Sequence, residues 1–138
     1  MTESSIGERV FSLPLRVYIE DTDAGGIVFY ANYLKYFERA RTEFMRSIGF
    51  ELRRGMAGNI NYVVHSLELK YLRPARLDDL IQVHAQIEKI GRTYLVFQQW
   101  VTDENGQSLV TAWVKVACVN FDTAKPRALP SELMAKLA

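Results

Sequence analysis

Between Leu13 and Ile19 the chain alternates: Leu13, Leu15, Val17 and Ile19 fall on one side of an extended backbone, with Pro14, Arg16 and Tyr18 on the other. A period of two predicts a strand with one buried face. Past Tyr30 the period changes. Tyr30, Tyr33, Leu34, Phe37, Phe44, Met45 and Ile48 gather on one side of a helical wheel, largely opposite Lys35, Arg39, Glu43 and Arg46, which predicts an amphipathic helix. Asn32 is the candidate N-cap and Gly49 the candidate stop, giving about five turns or roughly 25 Å of helix.

From Glu51 to Asn61, with Gly55 and Gly58, no period is visible and a loop is predicted. The rest reads as strand. Val63, His65, Leu67, Leu69 and Tyr71 share one face until the Arg73-Pro74-Ala75-Arg76-Leu77-Asp78-Asp79 turn. Ile81, Val83, Ala85 and Ile87 form the next buried face. Lys89-Ile90-Gly91-Arg92 predicts a hairpin into Thr93 to Thr102, and Asp103-Glu104-Asn105-Gly106 a second into Gln107 to Phe121. That last strand is apolar on both faces, so both require cover. A tail from Lys125 carries Pro126 and Pro130 and ends in a short segment with no clear pattern. One helix laid against a curved antiparallel sheet satisfies this order, an α+β arrangement.

Composition narrows the partners. With 138 residues, 49% hydrophobic and 24% charged, the chain reads as one domain, residues 1–138, with a core over about residues 13–122. A net charge of +1 without a basic block excludes an extended nucleic-acid surface and points to a small substrate. One cysteine, Cys118, excludes an internal disulfide, and two histidines, His65 and His84, write no zinc-type spacing, so no metal and no cofactor are expected. Residues 1–9 hold no apolar leader segment and no run is long enough to span a bilayer, so a cytoplasmic location is expected.

The chemistry concentrates between the first strand and the helix. Asp21 and Asp23 are followed by Gly25 and Gly26 just before the helix start. A carboxylate there can act on water or a carbonyl, and free N–H groups at the helix start can hold a developing oxyanion. The glycines permit φ > 0 and close approach of a reacting group. Either acid can instead cap the helix or close an Asx-turn. Glu38 competes as a carboxylate on the helix, although an i, i+3 ion pair with Arg41 is the expected role. His65 reads as a core or interface histidine and Cys118 as core.

The residues Asp21-Thr22-Asp23-Ala24-Gly25-Gly26-Ile27-Val28-Phe29-Tyr30-Ala31-Asn32-Tyr33 closely resemble the hotdog-fold acyl-CoA thioesterases of the 4-hydroxybenzoyl-CoA thioesterase class. Tyr36-Phe37-Glu38-Arg39-Ala40-Arg41-Thr42-Glu43 and Tyr71-Leu72-Arg73-Pro74-Ala75-Arg76-Leu77-Asp78-Asp79 are most similar to its bacterial branch associated with the Tol-Pal envelope system. The resemblance implies a long central helix wrapped by a five-stranded antiparallel sheet, a homo-dimer or homo-tetramer with a pantetheine channel at a subunit boundary, and metal-free hydrolysis of an acyl-CoA or acyl-carrier-protein thioester. It places the catalytic carboxylate on Asp23, as nucleophile or general base, and the oxyanion-polarising amide near Tyr30. Some members of the branch have histidine at the position of Tyr30 and tyrosine at that of Ile19; this chain has neither, leaving the aspartate and backbone amides as the shared minimum. Gly25, Gly26, Ile27, Val28 and Tyr33 are then expected around the acyl group. Arg92 and Lys89 are expected at the coenzyme phosphates, with Arg73 and Arg76 as further candidates. The rival from another class is a non-catalytic acyl-carrier or envelope-complex binding module using the same pocket. A hotdog enoyl hydratase is a weaker rival, because no histidine joins the acidic stretch.

Overall fold

A computed structural model describes residues 9–137. Except for Arg9, the segment read as lacking a leader lies outside the described residues. Strand β1 (Val10–Arg16) leads through a single 3₁₀ turn (Ile19–Asp21) and a tight hairpin to helix α1 (Asn32–Ser47). A short helix α2 (Leu52–Ala57) precedes β2 (Asn61–Tyr71), β3 (Leu80–Ile90), β4 (Tyr94–Thr102) and β5 (Ser108–Asn120). A two-residue β6 (Lys125–Pro126) and helix α3 (Ser131–Leu137) close the chain. The sheet runs β1-β3-β4-β5-β2, antiparallel throughout, with β6 added to the end of β5.

Helix α1 buries Tyr33, Tyr36, Phe37, Ala40, Phe44 and Met45 against the sheet. The buried stripe is rotated from the one the sequence predicts: Tyr36 and Ala40 enter it, while Tyr30 and Leu34 stay exposed, because the helix begins at Asn32 and Tyr30 lies before it. Asn32 is not the N-cap. Ala31 holds that position, and the Asn32 amide instead donates to the Asp21 carbonyl at 2.8 Å, tying helix to hairpin. The stop is as expected: Gly49 has φ 80°, Phe50 N–H donates to Met45 O and Gly49 N–H to Arg46 O, the two bonds of a Schellman ending.

Three further expectations change. The first strand stops at Arg16, and Ile19 is 76% exposed in the 3₁₀ turn. The expected loop after α1 contains α2, in which Gly55 sits where a Cβ would lie 3.3 Å from the Ile60 carbonyl, so the glycine there serves a close contact. In β2 the register to β5 shifts between Val64 and Ser66. This bulge at His65 resets the alternation: Tyr62, Val64, Leu67, Leu69 and Tyr71 pair with the inward residues Cys118, Val116, Val114, Ala112 and Val110, while Val63 moves to the outer face. His65 is exposed, 3.1 Å from Ser66 Oγ, and is not a core residue. Cys118 is fully buried, as expected.

β2 is an edge. Val64, Leu67 and Tyr71, on its concave face, are 45%, 44% and 49% exposed. α1 packs on β3 and β1 and leaves this side of the concave face open.

Candidate active site

The hairpin between the 3₁₀ turn and α1 has a five-residue tip, Asp23 to Ile27. Asp23 N–H donates to Ile27 O (2.9 Å), Gly26 N–H to Asp23 O (3.1 Å), and Gly26 takes φ 76°, a type I turn closed by a left-handed glycine. The Asp23 side chain adds an Asx-turn, Oδ1 accepting Gly25 N–H at 2.8 Å. The tip is fastened to the segment before β3: Val28 N–H donates to Ala75 O, and Leu77 N–H to Gly26 O. The buried Tyr33 hydroxyl accepts Ala75 N–H at 3.1 Å, so the start of α1 holds the same segment.

The chain contains an internal comparison. At Asp103-Glu104-Asn105-Gly106-Gln107 the same turn recurs, with Asp103 N–H to Gln107 O, Gly106 N–H to Asp103 O and Gly106 at φ 78°. There the carboxylate accepts two amides, Asn105 and Gln107, each at 2.9 Å. Both bonds end on Asp103 Oδ1, whereas Asp23 Oδ1 accepts one; in both turns Oδ2 has no hydrogen-bond partner among the described residues. The matching third position is Asn105 in one turn and Gly25 in the other. The turn therefore tolerates a side chain at that place; at Gly25 a Cβ would fall 3.3 Å from Asp23 Oδ1, crowding the exposed carboxylate.

Asp21 is committed elsewhere. Its Oδ2 accepts Tyr18 N–H (2.8 Å), and its carbonyl accepts Phe29 N–H and the Asn32 amide, so it orders the hairpin. Burial first, then the nearby Asp21 carboxylate, pushes the pKa of the buried Tyr36 hydroxyl well above the usual phenol range. Where the hairpin runs into α1, the N–H groups of Tyr30 and Ala31 have no acceptor among the described residues. Such orphan donors at a helix start are suited to an oxyanion. A cavity of about 260 Å³ opens beside them, lined by Ile27, Val28, Tyr30, Tyr33, Tyr71 and Arg73 among others. Tyr71 Oη donates to the Tyr30 carbonyl at 3.2 Å. Val28 and Tyr33 are almost wholly buried, so they shape the floor, while Tyr30 is 64% exposed at the rim.

The remaining predicted residues lie apart. β3 starts beside Arg16 and ends at the hairpin bearing Lys89 and Arg92, about 30 Å away at ~3.3 Å per residue. Within one protomer Lys89 and Arg92 are therefore not brought to Asp23. Lys89 and Lys115 stand over the Tyr94 ring, at 5.7 and 4.3 Å from its centroid. The expected Glu38–Arg41 ion pair does not form. The ion pairs among the described residues are Arg46–Glu43 and Arg54–Glu51; Arg41 Nη1 donates instead to Gln99 Oε1 at 2.9 Å. Burial pulls the Arg41 pKa below its usual value, with the Glu38 charge opposing. Gln99, fully buried on β4, completes the link by donating to the Phe37 carbonyl at 3.0 Å. Sequence reasoning missed Gln99, whose sole signal is a glutamine at an inward position of an otherwise apolar strand.

Among the described residues, no three of His, Cys, Asp and Glu cluster closely enough to hold a metal ion, and no helix is long and apolar enough to cross a membrane.

A long helix laid against a curled antiparallel sheet is the frame of a hotdog fold, and residues 25–110 match the model of the thioesterase superfamily. The chain belongs to that family. Within it, the chain is 42% identical over 127 residues to the acyl-CoA thioester hydrolase YbgC of Escherichia coli, covering 92% of this chain and 95% of that one. It is also 42% identical over 126 residues to the acyl-CoA thioesterase YbgC of Haemophilus influenzae, covering 91% and 92%. In fold it is similar to a 1,4-dihydroxy-2-naphthoyl-CoA thioesterase from Synechocystis, with TM-score 0.87 at 20% identity, covering 94% of this chain and 96% of that one. A Staphylococcus aureus protein solved in complex with CoA shares the fold at TM-score 0.87 and 21% identity, covering 99% and 85%.

Proposed function

We propose that this protein hydrolyses acyl-CoA thioesters, with Asp23 as the reacting carboxylate and the Tyr30 amide as the oxyanion donor. The observation carrying the reading is the exposed Asp23 carboxylate, held by a single Asx bond with one oxygen unpaired, in the hairpin that leads into the helix start where the Tyr30 and Ala31 amides lack acceptors. That oxygen either attacks the thioester carbon or takes a proton from an attacking water. On both routes the carbonyl oxygen becomes an oxyanion held by the Tyr30 N–H, and collapse expels the coenzyme thiolate. On the first route an Asp23 anhydride remains, which water opens to free acid and the restored carboxylate. Single turnover in ¹⁸O-water separates the routes, since only the anhydride can leave label in the Asp23 side chain.

The working unit in this reading is a pair of copies joined along β2, as a dimer or as half of a tetramer. An eleven-residue edge strand without proline, apolar and open on its concave face, suits such a partner. Antiparallel pairing of the two β2 strands lays the Tyr71 end of one copy beside the Tyr62 end of the other. The Lys89–Arg92 hairpin of one copy then lies at the Asp23 end of its partner, where those cations meet the coenzyme phosphates.

Asp23→Asn is expected to keep the oligomer and lower turnover of an acyl-CoA panel by about 10²–10⁴-fold, while Asp103→Asn leaves turnover unchanged. Activity retained in Asp23→Asn moves the chemistry to Glu38 or Asp21; tight binding without turnover in the wild type marks a recognition module instead. Sedimentation of Leu67→Asp tests the pairing, which fails if the wild type is an active monomer.

A further inference from the structure

A second cavity, about 130 Å³, lies between α1, α2 and the concave face of the sheet near the Tyr62 end of β2. Its walls are Met45, Leu52, Val64, Phe97 and Val116, a hydrocarbon lining. Four polar side chains interrupt it, Glu38 and Thr42 along α1 and two donors, Arg41 and Tyr62. The Tyr62 hydroxyl is buried without any hydrogen-bond partner. Arg41 spends one N–H on Gln99 and has no ion-pair partner, so the rest of its guanidinium is uncommitted. Glu38 stands at the cavity as an exposed residue, where water screens it.

Buried donors without acceptors are costly unless something fills the site that can accept from both. A hydrocarbon tail leaves the two groups unpaired, and a neutral hydroxyl satisfies the cation weakly. A carboxylate has two oxygens, matches the guanidinium in charge and geometry, and can accept the tyrosine O–H as a hydrogen bond on a further lone pair. The antiparallel pairing proposed above sets this end of one copy against the catalytic end of the other, so the cavity continues the acyl path from the partner's thioester. We propose, resting on that reading, that the cavity is an acyl subsite for chains ending in a carboxylate, which Arg41 and Tyr62 receive. The small volume and apolar walls suit a short methylene chain before the acid.

The test compares adipoyl-CoA with hexanoyl-CoA, equal in carbon count and differing in the terminal carboxylate. The wild type is expected to favour adipoyl-CoA in kcat/KM by about 10- to 100-fold, the range of a charge-assisted hydrogen bond. Tyr62→Phe, which keeps the ring packed on Phe50, and Arg41→Met should each collapse that ratio through KM for adipoyl-CoA. Equal or reversed preference in the wild type, or a ratio unmoved in both variants, overturns the subsite while leaving the hydrolase reading intact. Turnover of neither thioester sinks the hydrolase reading. Calorimetric binding of the two thioesters then still decides the subsite: adipoyl-CoA must bind more tightly, and lose that margin in Tyr62→Phe.

Discussion

Gln99 is a buried amide with two partners, and its replacement by leucine separates a packing role from a polar one. The side-chain volume is nearly kept, so little cavity term is expected. The Phe37 carbonyl keeps its helical bond when Gln99 Nε2 is lost. The Arg41 guanidinium, however, loses its acceptor while remaining half-buried, and a hydrogen bond to a charged group is worth about 1.5–3 kcal/mol. Gln99→Leu should therefore cost about 2–3 kcal/mol. With an unfolding entropy of about 2.1 cal/mol/K per residue, that lowers Tm by about 7–10 °C. Arg41→Met strands the Gln99 oxygen and should cost about 1–3 kcal/mol. Arg41→Met/Gln99→Leu removes both partners together and should lie within about 1 kcal/mol of the wild type, because a matched apolar pair leaves nothing unsatisfied. Thermal and urea unfolding at one fixed protein concentration measure all four proteins, so that association contributes equally to each. A double variant destabilised by the sum of the two single changes would refute the coupling.

Gly26→Ala places an L-residue at φ 76° and should cost about 1–2 kcal/mol, with turnover falling as the Asp23 turn distorts. Gly106→Ala, at φ 78° in the twin turn, should cost the same and leave turnover unaltered; equal turnover losses would refute a special part for the Asp23 turn. Gly91→Ala sets a Cβ 2.2 Å from the Tyr94 ring, so the ring must leave its place beside Lys89 and Lys115, and the near-ultraviolet dichroism of that tyrosine should change. His84 sits between Ser12 Oγ (2.7 Å) and Thr102 Oγ1 (2.9 Å), stacked on Trp100, and burial lowers its pKa. The unfolded chain then takes up the proton first, near pH 6.5, so stability is lost as pH falls from there toward the lower folded value. His84→Gln should flatten the fall in urea midpoint between pH 7.5 and 5, and an unchanged slope would show that other groups carry it.

Periodicity was enough to place α1 and the inward faces of β3 and β5, because each buries one continuous apolar face. The Gly106 hairpin and the Gly49 stop follow from glycines that a left-handed backbone selects, while Gly91 in the other hairpin makes room for the Tyr94 ring. The β2 face was misread because a bulge adds one residue without any composition signal, and His65 looks the same in sequence whether it is paired or extruded. Helix α2 was missed because Gly55 weighs against helix locally, whereas its cause is the close approach of Ile60, a tertiary contact. For the candidate site, Asp23, Gly25, Gly26 and Tyr30 lie within eight residues and their grouping was legible; that Lys89 and Arg92 lie far from Asp23 follows from strand direction, which sequence spacing does not reveal. The Arg41–Gln99 link joins a helix to a strand far along the chain, and an i, i+3 reading of Arg41 with Glu38 was the local answer to a charge with a distant partner.

Chain order and sheet order differ in a way that bears on how the molecule forms. The last three long strands, β3, β4 and β5, are a meander closed by short turns, which can zip from local contacts. The first two, β1 and β2, are the flanks: Val10 must find Gln86, and Asn61 must find Val119. Everything proposed to do chemistry lies on the stretch strung between those late-arriving flanks. During synthesis the Asp23 hairpin and α1 leave the ribosome after β1 but before β3, on which both β1 and α1 pack, so their final places wait on the C-terminal meander. In the finished protein the same dependence runs backwards, and detaching β1 from β3 would slacken the Asp23 hairpin while the meander stays closed.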